Sequence, residues 1–245
     1  MRVELIAECA SNHGGNIPLA KEFIHRFAEA GADWIKFQTT RVKHLRPDDP
    51  QYAWFKQAEL SDEAHYELKA ECEQAGVKFL TTIYNRAELP LIQALGMDTL
   101  KLGSGEQRDG ALARAAEGLG LRVLRSIHHL GSDRWWIEDI EDEDDNDIGE
   151  ILSCVTRYPA SERACLEAIR WVNCGSVVGY SDHSIGTDMA CWAMDCGARI
   201  IEKHVSLEHQ ARPVQVWEAT PAEFKWLRKY ADEDPARFEG RWQYA

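Results

Sequence analysis

The 245-residue sequence contains no run of about 18 apolar residues, so it predicts no transmembrane helix. It is short of basic residues: 28 lysines and arginines stand against 41 acidic residues, and the net charge of −13 argues against nucleic acid or an anionic membrane as the main partner. Its seven cysteines include no CxxC pair, and the opening MRVELIAECA has no signal-peptide pattern. We therefore expect reduced thiols in a cytoplasmic protein.

Short runs rich in Val, Ile, Leu and Phe alternate with helical stretches, and eight such cycles can be counted. Apolar strands separated by helices indicate a parallel sheet that is buried on both faces. The length is close to the roughly 250 residues that are typical of a (β/α)8 barrel. The sequence therefore predicts an α/β fold, a single-domain TIM barrel spanning residues 1–245. The predicted strands are 3–8, 34–38, 77–82, 99–103, 122–127, 150–155, 177–181 and 199–204.

Residues that favour helix starts support this alternation of strands and helices. Ser61 and Thr220 are predicted N-caps, and Glu223 stands three residues after Thr220, where a capping residue is favoured. The helix after the fifth strand is the least defined, because the acidic run 137–150 occupies its place. We interpret that run as a solvated loop or a frayed helix rather than a metal site.

The active site of a TIM barrel lies at the C-terminal ends of its strands, and those ends are strongly polar in this sequence. Lys36 and Gln38 face the same way on the second strand, because side chains alternate along a strand. The polar residues at or just after the predicted strand ends are Glu8, Asn12, His13, Lys36, Gln38, Thr81, Thr82, Tyr84, Asn85, Lys101, Ser104, Glu106, Ser126, His128, His129, Tyr158, Ser181, Asp182, His183, Glu202, Lys203 and His204.

Two histidines end neighbouring strands. His183 ends the seventh strand on the same face as Ser181, and His204 ends the eighth on the same face as Glu202. Either histidine alone is best interpreted as a satisfied core or loop residue. Together, on adjacent strand ends, we interpret them as ligands of one divalent metal whose remaining positions stay open, and Mn²⁺, Co²⁺, Fe²⁺ or Zn²⁺ suits imidazole better than Ca²⁺.

Two lysines, Lys36 and Lys101, stand within apolar strands, where an ammonium group must be paired. One interpretation is a pocket for a phosphate or carboxylate, completed by nearby hydroxyls. The other is a pair of salt bridges, Lys36 with Glu8 and Lys101 with Glu106. A Schiff-base role for Lys101 is a third possibility. The hydroxyls in question are those of Thr81, Ser104, Ser126 and Ser181.

Five short motifs together resemble the sialic acid synthase family, which includes N-acetylneuraminate, pseudaminic acid and legionaminic acid synthases. The motifs are NHGG (12–15), KFQ (36–38), GSGE (103–106), GYSDH (179–183) and EKH (202–204). None is specific alone, but they occur in order over nearly the whole chain. The resemblance implies the condensation of phosphoenolpyruvate with an open-chain N-acetylhexosamine, which gives a nonulosonic acid and phosphate.

The resemblance also implies roles for individual residues. His183 and His204 would be the metal ligands, with Mn²⁺ expected and Co²⁺, Fe²⁺, Zn²⁺ or Mg²⁺ as alternatives. Either Glu8 or Glu106 would position or deprotonate the attacking water, and the sequence does not separate these two. The phosphoenolpyruvate pocket would comprise Lys36, Thr81 or Thr82, Lys101, Ser104, Ser126 and Ser181. The polar residues around the reacting atoms would be Glu8, Gln38, Glu106 and Tyr158.

The sequence departs from the family on the acceptor side. The family's Gly-Pro-Asp-His motif is absent, and Val214 and Gln215 stand where its acid and histidine belong. The sequence ends at GRWQYA (240–245), so we do not expect the family's C-terminal antifreeze-like domain. A homodimer is expected, and a separate antifreeze-like protein could complete the site. The residues that could reshape the acceptor pocket are His128, His129, Trp135, Trp136 and Trp217.

Two alternatives accompany this prediction. The first is a related phosphoenolpyruvate-dependent 2-keto-3-deoxy sugar acid synthase with a different, phosphorylated acceptor, for which Arg125, Arg157 and Arg212 are candidate contacts. The second is a non-catalytic barrel that acts as a binding or assembly partner. Lost acceptor residues favour the second alternative, whereas the retained lysines and histidines argue against it.

Overall fold

Eight parallel strands form a closed barrel in the computed structural model, which describes residues 2–107, 109–128, 149–209 and 215–233. Each strand pairs with the next along the chain, and the last pairs with the first. The predicted (β/α)8 barrel is therefore confirmed, with strand ends within two residues of those expected. The strands are β1 Glu4–Ala10, β2 Trp34–Thr39, β3 Lys78–Ile83, β4 Thr99–Leu102, β5 Arg122–His128, β6 Glu150–Cys154, β7 Val177–Asp182 and β8 Ile200–His204.

Helices connect the strands on the outside of the barrel. The helices in the described ranges are α1 Ile17–Glu29, α2 Tyr52–Ala58, α3 Asp62–Gln74, α4 Leu89–Ala94, α5 Gly110–Gly118, α6 Glu162–Ile169, α7 Asp188–Asp195 and α8 Pro221–Asp232. Most of the acidic run, and the position of the helix predicted after β5, lie outside those ranges. None of these helices combines the length and apolar character that a membrane span requires.

The helix starts follow the sequence signals. The Ser61 side chain accepts a hydrogen bond from the backbone N–H of Ala64 at the start of α3. Thr220 and Glu223 form a complete capping box at the start of α8. Each cap satisfies backbone donors that have no partner within the helix, and this fixes where each helix begins.

Two apolar layers surround the strands. On the outside, Leu5, Ile35 and Phe37 are buried against Phe23 and Phe27 of α1. On the inside, a second cluster fills the barrel and leaves the carboxyl ends of the strands to polar side chains. This inner cluster comprises Ile6, Trp34, Leu80, Leu124, Leu152, Val178 and Ile200.

Gly179 allows β7 and β8 to approach closely. A Cβ atom at this position would lie 2.3 Å from the carbonyl oxygen of Ile200, which is backbone and cannot move aside cheaply. The glycine of the GYSDH motif is therefore required by packing between the two strands that end in His183 and His204.

Candidate active site

A cavity of about 210 Å³ opens at the carboxyl ends of the strands. All eight strands or their following loops contribute to its wall, so it sits where TIM-barrel enzymes place their chemistry. Its lining residues are Glu8, Lys36, Gln38, Thr82, Tyr84, Lys101, Gly103, Ser104, Gly105, Glu106, Ser126, Tyr158, Ser181, His183, Glu202 and His204. Eleven of the twelve site residues predicted from the sequence meet here, and Thr81 does not.

Both buried lysines converge on Glu202. Lys36 Nζ lies 3.4 Å from Glu202 Oε1, and Lys101 Nζ lies 3.4 Å from Glu202 Oε2. Lys36 Nζ is also 2.9 Å from Glu8 Oε1, so the predicted Lys36–Glu8 pair is present. The predicted pairing of Lys101 with Glu106 is wrong, because Glu202 reaches inward from β8 and takes that place. Glu202 was not among the predicted site residues, although its shared strand face with His204 indicated an inward side chain.

Lys101 is held as a hydrogen-bond donor. Its Nζ lies 2.7 Å from Ser126 Oγ and 2.9 Å from the carbonyl oxygen of Leu102, in addition to the contact with Glu202. The two hydrogen-bond acceptors and the nearby carboxylate suit an ammonium group that can bind an anion, although burial lowers the pKa of Lys101.

The pKa values of the two central carboxyl groups, Glu202 and Glu8, are shifted in opposite directions. Burial alone would raise the pKa of Glu202, but the ammonium groups of Lys101 and Lys36 outweigh burial and lower that pKa. Burial raises the pKa of Glu8 above its ordinary value, even though Lys36 lies beside it. Burial lowers the pKa of Lys101, whereas Glu202 and Glu8 outweigh burial and raise the pKa of Lys36. Lys36 is therefore the charged group that favours an added anion, and Lys101 lies beside it as a hydrogen-bond donor.

The hydroxyl contributed by β3 comes from Thr82 and not from Thr81. Thr81 Oγ1 lies 2.8 Å from Thr39 Oγ1 and 3.1 Å from the carbonyl oxygen of Phe37, on the helix-facing side of the strand. The prediction of Thr81 is wrong because neighbouring residues of a strand face opposite sides. Thr82, the alternative considered from sequence, lines the cavity.

Several buried polar atoms in the cavity wall have no hydrogen-bond partner within the part of the chain that the structure describes. Buried polar groups are nearly always paired, so a concentration of unpaired ones calls for an explanation. Donors and acceptors that point into one cavity are ready to bind a polar ligand. The atoms are Glu8 Oε2, Thr82 Oγ1, Glu106 Oε2 and His204 Nδ1.

The two histidines meet as their strand positions predicted. Their ring centroids are 5.4 Å apart, and both rings line the cavity. His183 Nδ1 lies 2.6 Å from the carbonyl oxygen of Val155, which fixes the ring with Nε2 as its acceptor nitrogen. Burial lowers the pKa of both imidazoles and so favours the neutral form that metals require.

The residues present fit a divalent metal with open coordination positions. Among the described residues, His204 Nδ1 is buried without a hydrogen-bond partner, and the Tyr158 hydroxyl lies 3.3 Å from His183 Nε2. Within the described ranges, no three His, Cys, Asp or Glu side chains are grouped to hold a metal. An ion bound here would therefore take its remaining ligands from water or substrate, as catalytic metals do.

An aromatic pair covers the histidines. The Tyr158 ring centroid is 4.2 Å from that of His183 and 5.8 Å from that of His204. Trp217 packs against the same tyrosine, with centroids 5.5 Å apart. The indole Nε1 of Trp217 is buried and has no hydrogen-bond partner among the described residues. Trp217 therefore supports Tyr158 at the mouth of the cavity.

The candidate contacts for a phosphorylated acceptor do not line the cavity where they are described. Arg125 is buried on the helix side of β5, where its Nη2 donates to the carbonyl oxygen of Gln107. Arg157 is exposed. Arg212 lies outside the described residues. No arginine contributes to the described cavity wall, so the structure offers no support for a second phosphate site.

The predicted acceptor-side residues are only partly described. His128 is half-buried, and its Nδ1 accepts a hydrogen bond from the backbone N–H of Thr156, 2.9 Å away, beside the cavity wall rather than within it. Gln215 is half-buried. The residues outside the described ranges are His129, Trp135, Trp136 and Val214.

The NHGG motif shapes the loop after β1 and does not line the cavity. Asn12 Nδ2 donates to Glu218 Oε1, 2.7 Å away. His13 Nδ1 accepts from the backbone N–H of Gly15. Gly15 has a φ of +81°, and a Cβ there would lie 2.2 Å from the carbonyl oxygen of Gln57. The motif therefore specifies a tight turn against α2.

A larger cavity, of about 460 Å³, lies beside this loop and shares no residue with the first one. Its described wall contains neither a lysine nor a histidine, so it lacks the groups that distinguish the smaller cavity. Its lining residues are Asn12, Leu19, Glu22, Phe23, Arg26, Trp54, Ser206, Leu207, Glu208 and Glu218.

Comparison with known proteins identifies relatives of this barrel. Residues 23–233 match the NeuB family. An N,N'-diacetyllegionaminic acid synthase of Legionella pneumophila is 30% identical over 227 residues, which cover 83% of this chain and 64% of that protein. A pseudaminic acid synthase of Helicobacter pylori is 28% identical over 228 residues, covering 83% and 66%. The chain thus spans about two thirds of the length of these relatives.

A solved structure shows the same architecture. The N-acetylneuraminic acid (sialic acid) synthetase from Leptospira borgpetersenii, determined in complex with citrate, superposes with a TM-score of 0.85 at 28% identity. The superposition covers 100% of this chain and 87% of that one.

Proposed function

The chain belongs to the NeuB family, and we propose that it condenses phosphoenolpyruvate with an open-chain, N-acetylhexosamine-like sugar. The products would be a nonulosonic acid and inorganic phosphate. The observation that carries the proposal is one cavity that combines two buried lysines, a pair of facing imidazoles and four polar atoms without a partner among the described residues. Relatives described as diacetyllegionaminic and pseudaminic acid synthases support the same reaction class.

Lys36 and Lys101 would bind the phosphate and carboxylate of phosphoenolpyruvate. Their ammonium groups are already desolvated and held in place by Glu8, Glu202 and Ser126. A preorganised donor loses little freedom when the ligand arrives, which favours tight binding. The hydroxyls that would complete the donor site are those of Thr82, Ser104, Ser126 and Ser181.

The reaction joins two molecules and removes phosphate. C3 of phosphoenolpyruvate forms a bond to the aldehyde carbon, whose oxygen gains a proton. Water then adds at C2 and loses a proton, after which the C2–O bond breaks to release phosphate and leave a keto acid. Holding both reactants against one wall makes the first step effectively unimolecular.

His183 and His204 would hold a divalent ion, with Mn²⁺ first and Co²⁺, Fe²⁺, Zn²⁺ or Mg²⁺ as alternatives. When bound, such an ion would supply Lewis-acid polarisation of the aldehyde oxygen. The backbone carbonyl of Val155 orients the ring of His183 for this role. Tyr158 stands over both rings and would border the acceptor.

Glu106 is the better candidate for orienting and deprotonating the attacking water. Glu106 and Glu8 each have a buried Oε2 with no hydrogen-bond partner among the described residues and a pKa that burial raises, so either carboxyl group meets this requirement of a general base. Glu8 Oε1, however, also contacts Lys36 and accepts a hydrogen bond from Gln38. We therefore assign Glu8 and Gln38 to positioning Lys36 and the donor.

The proposed assembly is a homodimer, and a separate antifreeze-like protein could complete the acceptor side. Light scattering of the purified protein would measure its mass. An acceptor assay with and without candidate partner proteins would test whether a second chain is needed.

Calorimetry provides the first test. Wild type would be titrated with phosphoenolpyruvate in the presence and absence of Mn²⁺, alongside the double variant His183→Ala/His204→Ala. His65→Gln is the matched control, because His65 is buried in α3 and lies outside the cavity. We expect wild type and the control to bind both the donor and the metal, and the double variant to lose the metal.

Turnover is the second test. Phosphate release would be measured with a panel of 2-acetamido sugars, both free and phosphorylated. Release with a free sugar supports the proposed reaction, and release with only phosphorylated sugars identifies the alternative synthase. If neither phosphoenolpyruvate nor a metal binds, the proposal is wrong and a non-catalytic barrel is the better description.

A further inference from the structure

A buried ion pair lies directly behind the two histidines. Lys203 Nζ is 2.8 Å from Asp182 Oδ2, and both side chains are 0% exposed. Asp182 precedes His183 and Lys203 precedes His204, and the two charged residues are register partners across β7 and β8. Because side chains alternate along a strand, the ion pair faces the helices while the imidazoles face the cavity.

Hydrogen bonds from Ser184 complete this pair. Lys203 Nζ donates to the carbonyl oxygen of Ser184, 2.6 Å away. Asp182 Oδ1 accepts from the backbone N–H of Ser184 at 2.9 Å and from its hydroxyl at 2.7 Å. Both chain neighbours of His183 are thereby tied to the residue that precedes His204.

The histidine backbones are held on their other sides as well. The carbonyl oxygen of His183 accepts from the backbone N–H of Ala160 at 2.9 Å. That of His204 accepts from the backbone N–H of Ala219 at 2.8 Å. The 5.4 Å separation of the rings therefore depends on how the ends of β7 and β8 are joined, and the ion pair joins them.

Stability alone does not account for a fully buried pair of charges. Removing two ions from water costs several kcal/mol each, and replacing such a pair by apolar residues is often neutral or stabilising. What an ion pair adds is a defined geometry, because its charge-assisted hydrogen bonds are directional.

We propose that Asp182 and Lys203 are positioning residues that set the separation and orientation of His183 and His204. Through that geometry they control the affinity of the cavity for a divalent cation. This inference rests on the metal-binding role assigned to the two histidines under the proposed function. Neither residue lines the cavity, so both act through the histidines beside them.

Three variants test the proposal. Asp182→Leu/Lys203→Met replaces the pair by apolar side chains and is designed to stay folded. Asp182→Asn keeps the shape of the side chain and removes one charge, and it serves if the double variant does not fold. The control is Asp33→Asn/Arg228→Met, which breaks another ion pair (3.0 Å) at the opposite end of the barrel.

Two readouts apply to each variant, after urea unfolding has confirmed the fold. Crystal structures without metal measure the His183–His204 ring separation, and the relaxation of water protons measures Mn²⁺ affinity. We expect the Asp182 variants to change the ring separation or orientation and to lose about tenfold or more in Mn²⁺ affinity, as changes behind metal ligands typically do. The control should change neither.

The outcomes are separable. An unchanged separation and orientation of the two imidazole rings in folded Asp182 variants would overturn the proposal. A changed ring geometry with unchanged Mn²⁺ affinity would also overturn it. If wild type itself binds no Mn²⁺, the metal assignment of the proposed function fails. The crystallographic comparison then still decides whether the ion pair positions the rings.

Discussion

The ammonium group of Lys36 lies 2.9 Å from the carboxylate of Glu8 in the barrel interior, where these residues are 3% and 1% exposed. Burial alone would lower the pKa of Lys36, but Glu202 and Glu8 outweigh burial and raise it. Lys36 therefore stays charged at neutral pH in an apolar barrel. A permanent buried charge beside a polar cavity is a binding group for an anion.

Lys36→Met is expected to weaken the binding of phosphoenolpyruvate by about 10- to 100-fold, because a hydrogen bond to a charged group is worth about 1.5–3 kcal/mol. Calorimetry measures this affinity directly. Lys78→Met is the matched control, because Lys78 is at the opposite end of β3, with its Nζ 4.5 Å from the ring centroid of Trp34. Equal affinity in both variants would show that Lys36 does not contact the donor.

Strand periodicity explains why much of this site could be predicted from sequence. A barrel brings the ends of all strands together, so identifying the strands was enough to place His183 beside His204 and Lys36 beside Glu8. Local signals likewise predicted helix starts, as at Thr220, where the capping residues are within three positions of one another.

The two wrong predictions, Thr81 and the Lys101–Glu106 pair, depend on contacts between residues that are far apart in the sequence. Thr81 and Thr82 are equally suited to bind a phosphate, and only the register of β3 decides which one faces inward. Lys101 pairs with Glu202 rather than Glu106, because the side chain that reaches a lysine inside a barrel can come from any strand. The spacing of residues along the chain does not tell which side chain lies within reach of Lys101.

Glu106→Gln and Glu8→Gln are expected to affect different kinetic constants. Glu106 Oε2 has no hydrogen-bond partner among the described residues, so the amide variant should lower kcat by about 100-fold or more while the affinity for phosphoenolpyruvate is retained. Glu8 contacts Lys36, so its variant should mainly weaken donor binding. Single-turnover phosphate release and calorimetry separate the two effects, and the reverse pattern would exchange the assigned roles.

Trp217→Ala should act on the acceptor and not on the donor. The indole packs on Tyr158 at 5.5 Å, and such aromatic pairs contribute about 0.5–1.5 kcal/mol, so the acceptor KM should rise roughly two- to tenfold. The affinity for phosphoenolpyruvate should not change. Trp226→Ala is a matched control, because Trp226 packs on Tyr230 at the same 5.5 Å distance on the outer helix α8. Equal acceptor KM values in both variants would contradict a role for Trp217.

Glu218 should make the stability of the fold depend on pH. Burial raises the pKa of Glu218 to about 7, although hydrogen bonds from Asn12 and Ser206 oppose the shift. Because the folded pKa exceeds the unfolded one, the folded state holds a proton that the unfolded chain has released. This carboxyl group therefore costs little stability below its unfolded pKa and progressively more as pH rises to about 7.

Glu218→Gln removes this titration and keeps a side chain that can accept the hydrogen bond from Asn12. Relative to wild type, the variant should gain about 2 kcal/mol more at about pH 8 than at about pH 5, since each pKa unit is worth about 1.4 kcal/mol. Urea unfolding at the two pH values measures the difference. Glu22→Gln is the control, because Glu22 also lines the larger cavity beside the loop after β1 but is exposed. Its stability relative to wild type should be the same at both pH values. A parallel pH profile for wild type and Glu218→Gln would mean that Glu218 is already ionised in the folded protein near pH 5.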